Sequence, residues 1–120
     1  PDQLIAGQFL LDKGVHCLLI HDGIADLAPT EFRLMAFLLE NQGRVFSRDE
    51  LLRRAWPKHI KAGHPTVDVH VRRLRQVLEA FGCEDMIQTV RGFGYRFAVT
   101  VRAAHRPRRG ANQPVQLDPP

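Results

Sequence analysis

Over the first 27 residues the apolar positions come in short runs. LIA (4–6), FLLD (9–12), HCLLI (16–20) and IADL (24–27) are separated by GQ, KGV and HDG. Short apolar runs bounded by glycine predict strands joined by tight turns. Gly7, Gly14 and Gly23 would supply the permissive backbone of those turns, and Asp22-Gly23 reads as a two-residue hairpin. The expected product is a small antiparallel meander.

From Thr30 the period changes to that of a helix. EFRLMAFLLEN places Phe32, Met35, Ala36 and Leu39 on one face, widened by Leu34 and Leu38. Thr30, after Pro29, is the expected N-cap, and Asn41-Gln42-Gly43 the stop. A second helix opens on Ser47 and Glu50, which have capping-box spacing, with Phe46 and Leu51 flanking as a hydrophobic staple. It is expected to run to Trp56, where Pro57 ends it. PKHIKAGHP (57–65) then reads as a loop bounded by two prolines, and Thr66 as the cap of a third helix reaching about Phe81. Gly82 suits a left-handed residue at its C-terminus. MIQTV and YRFAV alternate as strands around RGFG and predict a hairpin. After Arg102 apolar residues nearly vanish, so 102–120 reads as a disordered basic, proline-rich tail behind a single domain over 1–101.

The third helix carries the chemistry. At about 100° per residue, Val67, Val71, Leu74 and Leu78 share one stripe. Val69, Arg72, Arg73 and Gln76 lie opposite, with Thr66, His70 and Arg75 on the flanks. Solvated helix faces usually mix charge signs, whereas this centre holds only one. Arginine forks match guanine or phosphate oxygens, glutamine can pair with adenine, and a valine methyl can meet a thymine methyl. Such a helix after a shorter one, followed by a hairpin with Arg91 at its turn, is the order of a helix-turn-helix with a wing. GFG is a tight hairpin turn and not a phosphate loop, since no helix follows it.

Composition is permissive. The formal net charge is +4, which allows a nucleic-acid partner without requiring one. No apolar run approaches the roughly 18 residues of a membrane span. Cys17 and Cys83 both sit among apolar residues and read as buried thiols of a reducing cytoplasm. The six histidines show no paired-ligand spacing, so neither a zinc site nor any cofactor is expected. The start at Pro1, without a Met, reads as a piece of a longer chain.

LAPTEFRLMAFLLENQGRVFSRDELLRRAW, TVDVHVRRLRQVLE and IQTVRGFGYRF, in this order, resemble the C-terminal effector domain of OmpR/PhoB-type two-component response regulators, and its PhoB-like members above all. The likeness covers residues 4 to 100. It implies an α+β winged helix-turn-helix: an N-terminal antiparallel sheet, three helices and a C-terminal β-hairpin wing. It implies sequence-specific binding of double-stranded DNA, with the third helix in the major groove and the wing in the minor groove. By position, Thr66, Val69, Arg72, Arg73 and Arg75 fall on the recognition helix, and Gln76 extends its outer face. Trp56 and His70 match backbone-contacting positions, and Thr89, Arg91 and Tyr95 match wing contacts. The family tends to bind direct repeats head to tail, and in activators the loop before the recognition helix touches RNA polymerase. This chain departs from PhoB-like members at Pro65, often an arginine, at bulky Phe93, and in a basic rather than acidic loop. No receiver domain is present, so the missing partner domain is either a receiver or another sensor.

An enzyme reading finds no nucleophile beside a base and no carboxylate pair at catalytic spacing. The competing reading is a winged helix that docks on protein, for which Phe93 speaks. The charge cluster on the third helix speaks against it, because docking surfaces are depleted of such clusters. Asp68, read as the second residue of the third helix, is expected to favour that helix N-terminus.

Overall fold

A computed structural model describes residues 2–99 of the chain. The expected tail, 102–120, lies outside the described residues. β1 (Gln3–Ala6), β2 (Phe9–Asp12), β3 (Cys17–Ile20) and β4 (Gly23–Ala25) form the antiparallel meander, in sequence order. Its inner face carries Ala6, Phe9, Leu11, Leu18, Ile20 and Ala25 into the core. Its outer face is not polar throughout. Ile5 pairs with Leu10, Leu10 with Leu19 and Leu19 with Ile24, and Ile5 and Ile24 are exposed.

The turns differ from expectation. Only Gly7 of the three glycines takes a positive φ; His16, His21 and Asp22 are the other left-handed residues of the meander. Ile20 pairs with Gly23, so the two turn residues are His21 and Asp22, one position earlier than Asp22-Gly23. Two consecutive positive φ values are the pattern of a type I′ hairpin. Burial of Leu18 and Ile20 sets the register, and Gly23 packs closely under Phe81: a Cβ there would stand 3.0 Å from the edge of its ring. In the β2–β3 turn the Asp12 carboxylate accepts the Gly14 and Val15 backbone N–H groups, at 2.8 and 3.1 Å. Cys83 is buried as expected, but Cys17 is only half-buried, because it lies on the outer face opposite Asp12.

α1 (Pro29–Glu40) buries all six apolar residues expected of its face, and also Glu31. Thr30 is not its cap. Ala28 holds the N-cap position without a side-chain bond, and Pro29 starts the helix, where its missing N–H costs nothing. α2 (Arg48–Arg54) begins on the expected capping box, with both the Ser47 and the Glu50 bonds present. It ends before Trp56, with Ala55 as C-cap. α3 (His64–Glu79) starts earlier than expected, with Gly63 at the N-cap and Pro65 inside the first turn. Thr66 therefore caps nothing, and the loop keeps its length but moves two residues back, to 55–63, because α2 ends at Arg54 and proline at the start of α3 is pre-organised rather than disruptive. Past α3, Gly82 takes φ +71, and the Gly82 and Cys83 N–H groups return to the Glu79 and Leu78 carbonyls. That is a Schellman closure.

A single 3-10 turn (Glu84–Met86) leads into β6 (Ile87–Val90) and β7 (Gly94–Phe97). The hairpin gains a third strand, β5 (Val45–Phe46), giving the order β5-β7-β6. α3 packs against both α1 and α2. Phe9 and Phe97 meet edge to face at 5.3 Å, which joins the meander to the wing sheet in one core.

Candidate nucleic-acid interface

α3 divides as its periodicity predicts. Val67, Val71, Leu74 and Leu78 are at most 1% exposed, and the helix is anchored along that stripe. Arg72, Arg73 and Gln76 are exposed, and Thr66 and Val69 are half-buried beside them. Arg73 and Gln76 also line an open cleft against Asp26, Leu27 and Glu31. At the other end of the surface, Arg91 and Phe93 stand out on the β6–β7 turn. That turn closes with a Phe93 N–H bond to the Val90 carbonyl and φ +74 at Gly92, the third residue of the turn, where glycine is favoured.

Of the remaining residues carried over by resemblance, Thr89 is exposed and Trp56, His70, Arg75 and Tyr95 lie deeper. Trp56 is 6% exposed and meets the His70 ring edge to face at 5.7 Å. His70 Nδ1 is hydrogen-bonded to the Glu31 carboxylate, which is buried. Tyr95 is 5% exposed, and its hydroxyl donates to Asp68 at 2.5 Å. The same Asp68 oxygen accepts from Arg48 Nε at 2.7 Å. Arg75 donates from Nε and Nη2 to the Ile87 carbonyl, at 3.0 and 2.8 Å, and from Nη2 to the Thr89 hydroxyl at 2.7 Å. The guanidinium groups of Arg48 and Arg75 both lie over the Tyr95 ring, at 5.2 and 5.6 Å. Arg96 is likewise held, by the Gln88 side chain across the hairpin.

Asp68 thus has a different role from the one expected. It sits past the first turn of α3, which contains no acid, and its partners come from α2 and β7. Burial opposes its ionisation, but the Tyr95 hydroxyl and Arg48 outweigh burial and hold its carboxyl below the ordinary 3.8. Burial, then the bond to Asp68, pushes the Tyr95 phenol up. A lowered folded pKa contributes stability that is present above the unfolded value and lost as pH falls through the folded one. Wild-type protein should therefore lose melting temperature below about pH 4 more steeply than Asp68→Asn does. Parallel slopes in thermal melts would show that the Asp68 pair contributes nothing.

α2 and α3 are also tied at their starts, where His64 Nε2 and Asp49 Oδ1 lie 2.7 Å apart. Sequence reasoning missed Glu31, Arg48 and this pair. Glu31 had left a signal: it shares a helical stripe with Met35 and Leu39, all three buried, and a carboxylate there needs a partner. Asp68 and Arg75, seven positions apart, likewise face one side of α3.

Residues 22–97 match the family model described as "Transcriptional regulatory protein, C terminal". The phosphate regulon transcriptional regulatory protein PhoB of Klebsiella pneumoniae is 46% identical over 88 residues, which are 73% of this chain and 38% of that protein. The chain thus spans about two fifths of that relative's length. Among solved structures, the response regulator AdeR DNA-binding domain in complex with an intercistronic region superposes with a TM-score of 0.72 at 33% identity, covering 78% of this chain and 97% of that one. The Klebsiella pneumoniae RstA DNA-binding domain in complex with the RstA box gives 0.66 at 25% identity, covering 82% and 98%. The family model spans well over half of the chain, from the β3–β4 turn through β7, and the chain belongs to the family of C-terminal domains of transcriptional regulatory proteins.

Proposed function

We propose that this chain binds double-stranded DNA sequence-specifically, as the output domain of a transcriptional response regulator. α3 lies in the major groove, with Arg72, Arg73, Gln76 and Val69 towards the bases and Thr66 at its edge. Arg91 enters the adjacent minor groove from the β6–β7 turn. The observation that carries this reading is the exposed centre of α3: two arginines and an amide with no carboxylate among them, on a helix whose opposite stripe is sealed in the core. The AdeR and RstA domains, which superpose over most of this chain, were solved on DNA.

Within this reading, protomers bind direct repeats head to tail, and a receiver domain supplies the control. His70 and Trp56 support the helix at the phosphate backbone, and the 55–63 loop faces RNA polymerase. Lys58, His59, Ile60 and Lys61 are all exposed on that loop. Replacing Lys58 and Lys61 by alanine should spare DNA affinity and change transcription in a reporter assay. Loss of most DNA binding would instead make the loop a phosphate clamp.

The test of the main reading is selection from random duplexes, followed by titration of the selected sequence against salt. Arg91 and the other cations that meet the DNA backbone should make log K fall with log[salt], by about 0.9 in slope for each phosphate neutralised. A flat response, or no selected sequence, would favour docking on protein. The 57% exposure of Phe93 at the wing turn is the observation on that side.

A further inference from the structure

We propose that Arg75 serves DNA recognition as a positioning residue, latching the wing to the recognition helix instead of contacting DNA. The inference rests on the DNA-binding reading and refines it. By resemblance Arg75, Thr89 and Tyr95 fall among DNA-contact positions, yet in this chain they are engaged with one another.

The geometry is that of a clasp between α3 and the hairpin. β6 is an edge strand, because the order is β5-β7-β6. The Ile87 carbonyl on it takes two N–H groups of Arg75, and the Thr89 hydroxyl takes a third bond. A planar guanidinium suits this task, since it presents donors in a fixed fork. Two turns earlier on the same side of α3, Asp68 accepts the Tyr95 hydroxyl of β7 and the Arg48 guanidinium of α2. α3 is thus joined to both strands of the hairpin at two levels, with the Tyr95 ring between the levels under Arg48 and Arg75. Turning Arg75 out to a phosphate would leave the Ile87 carbonyl and the Thr89 hydroxyl without this partner. The contrast lies within one helix: Arg72 and Arg73 are exposed, while Arg75 is half-buried and spent.

The clasp fixes the distance and angle between two readers, the α3 surface and Arg91 on the turn. Arg91 can enter a groove productively only if the hairpin is held in register with α3. The effects of Arg75 and Arg91 on binding should therefore be coupled, whereas those of Arg75 and Arg72 should not.

The experiment is a pair of double-mutant cycles on a selected duplex, with a DNA-free arm. Arg91→Ala should weaken binding about tenfold in the wild-type background and less than about twofold beside Arg75→Ala. Arg72→Ala should lose the same factor in both backgrounds. Arg75→Lys keeps the charge and loses the fork, so it should behave like Arg75→Ala. In the absence of DNA, both Arg75 variants should speed amide hydrogen exchange across residues 87–97 relative to α1. Thr89→Ala, an exposed change that leaves the core intact, should do so more weakly; it stands in if Arg75→Ala does not fold. Independent effects of Arg75 and Arg91, rescue by lysine, or unchanged exchange in the hairpin would overturn the proposal while leaving DNA binding in place. Absence of duplex binding by the wild-type domain would overturn both readings.

Discussion

Replacing Gly94 by alanine is expected to cost the domain about 3 kcal/mol or more. A Cβ at this position would stand 1.9 Å from the Phe46 carbonyl oxygen, 2.7 Å from its carbon and 2.8 Å from Ser47 Cα. These are backbone atoms, so no rotamer change relieves the overlap. β7 would have to part from β5, breaking the Phe46–Tyr95 pairing and disturbing Ser47, the residue that caps α2. Chemical denaturation should show the loss directly. Gly92→Ala is the contrast, because it meets open space and carries only the strain of φ +74, about 1–2 kcal/mol. If Gly94→Ala proved no more costly than Gly92→Ala, the close approach of β5 and β7 would be wrong.

The second large effect is on specificity. Arg73→Ala should flatten the preference at one or two base positions, since a bidentate arginine–guanine pair discriminates by about 1–3 kcal/mol. Arg72→Ala should follow closely. Arg91→Ala should weaken every sequence more evenly and lower the salt slope. Val69→Ser should relax discrimination at one A·T pair and leave the domain folded, because Val69 lies outside the buried Val67, Val71 and Leu74 stripe. A panel of single-base operator variants, titrated against each mutant, separates these outcomes. Uniform weakening by Arg73→Ala would move that residue from base reading to phosphate contact.

The sequence was legible where one residue type has one physical use. Ser47 and Glu50 announced their capping box, and four apolar residues at helical spacing set the phase of α3. It was less legible where proline has two uses. Pro29 and Pro65 look like boundaries, but each lies inside a first helical turn, which moved both helix starts and displaced Thr30 and Thr66 from their expected caps. β5 escaped notice because two residues carry no period. The outer face of α3 could be read from spacing alone. The engagement of Arg75, Thr89 and Tyr95 could not, since it depends on which strand the helix meets, and that is decided by packing of the whole core.

The short strand β5 also bears on the order in which the domain can be completed during synthesis. Its partner β7 lies on the order of fifty residues further along the chain, so their pairing closes a long loop, whereas the meander closes only turn-length ones. A chain made from its N-terminus can assemble the meander and begin α1 early. Phe46, fully buried in the finished domain, gains its strand partner only with Tyr95. Until Phe97 has left the ribosome the core is incomplete, with Phe9 lacking its ring partner and β5 its strand partner. The hairpin that carries Arg91 is thus the part that seals the core, so that α3 and the β6–β7 turn take up their relative positions only once the core has closed.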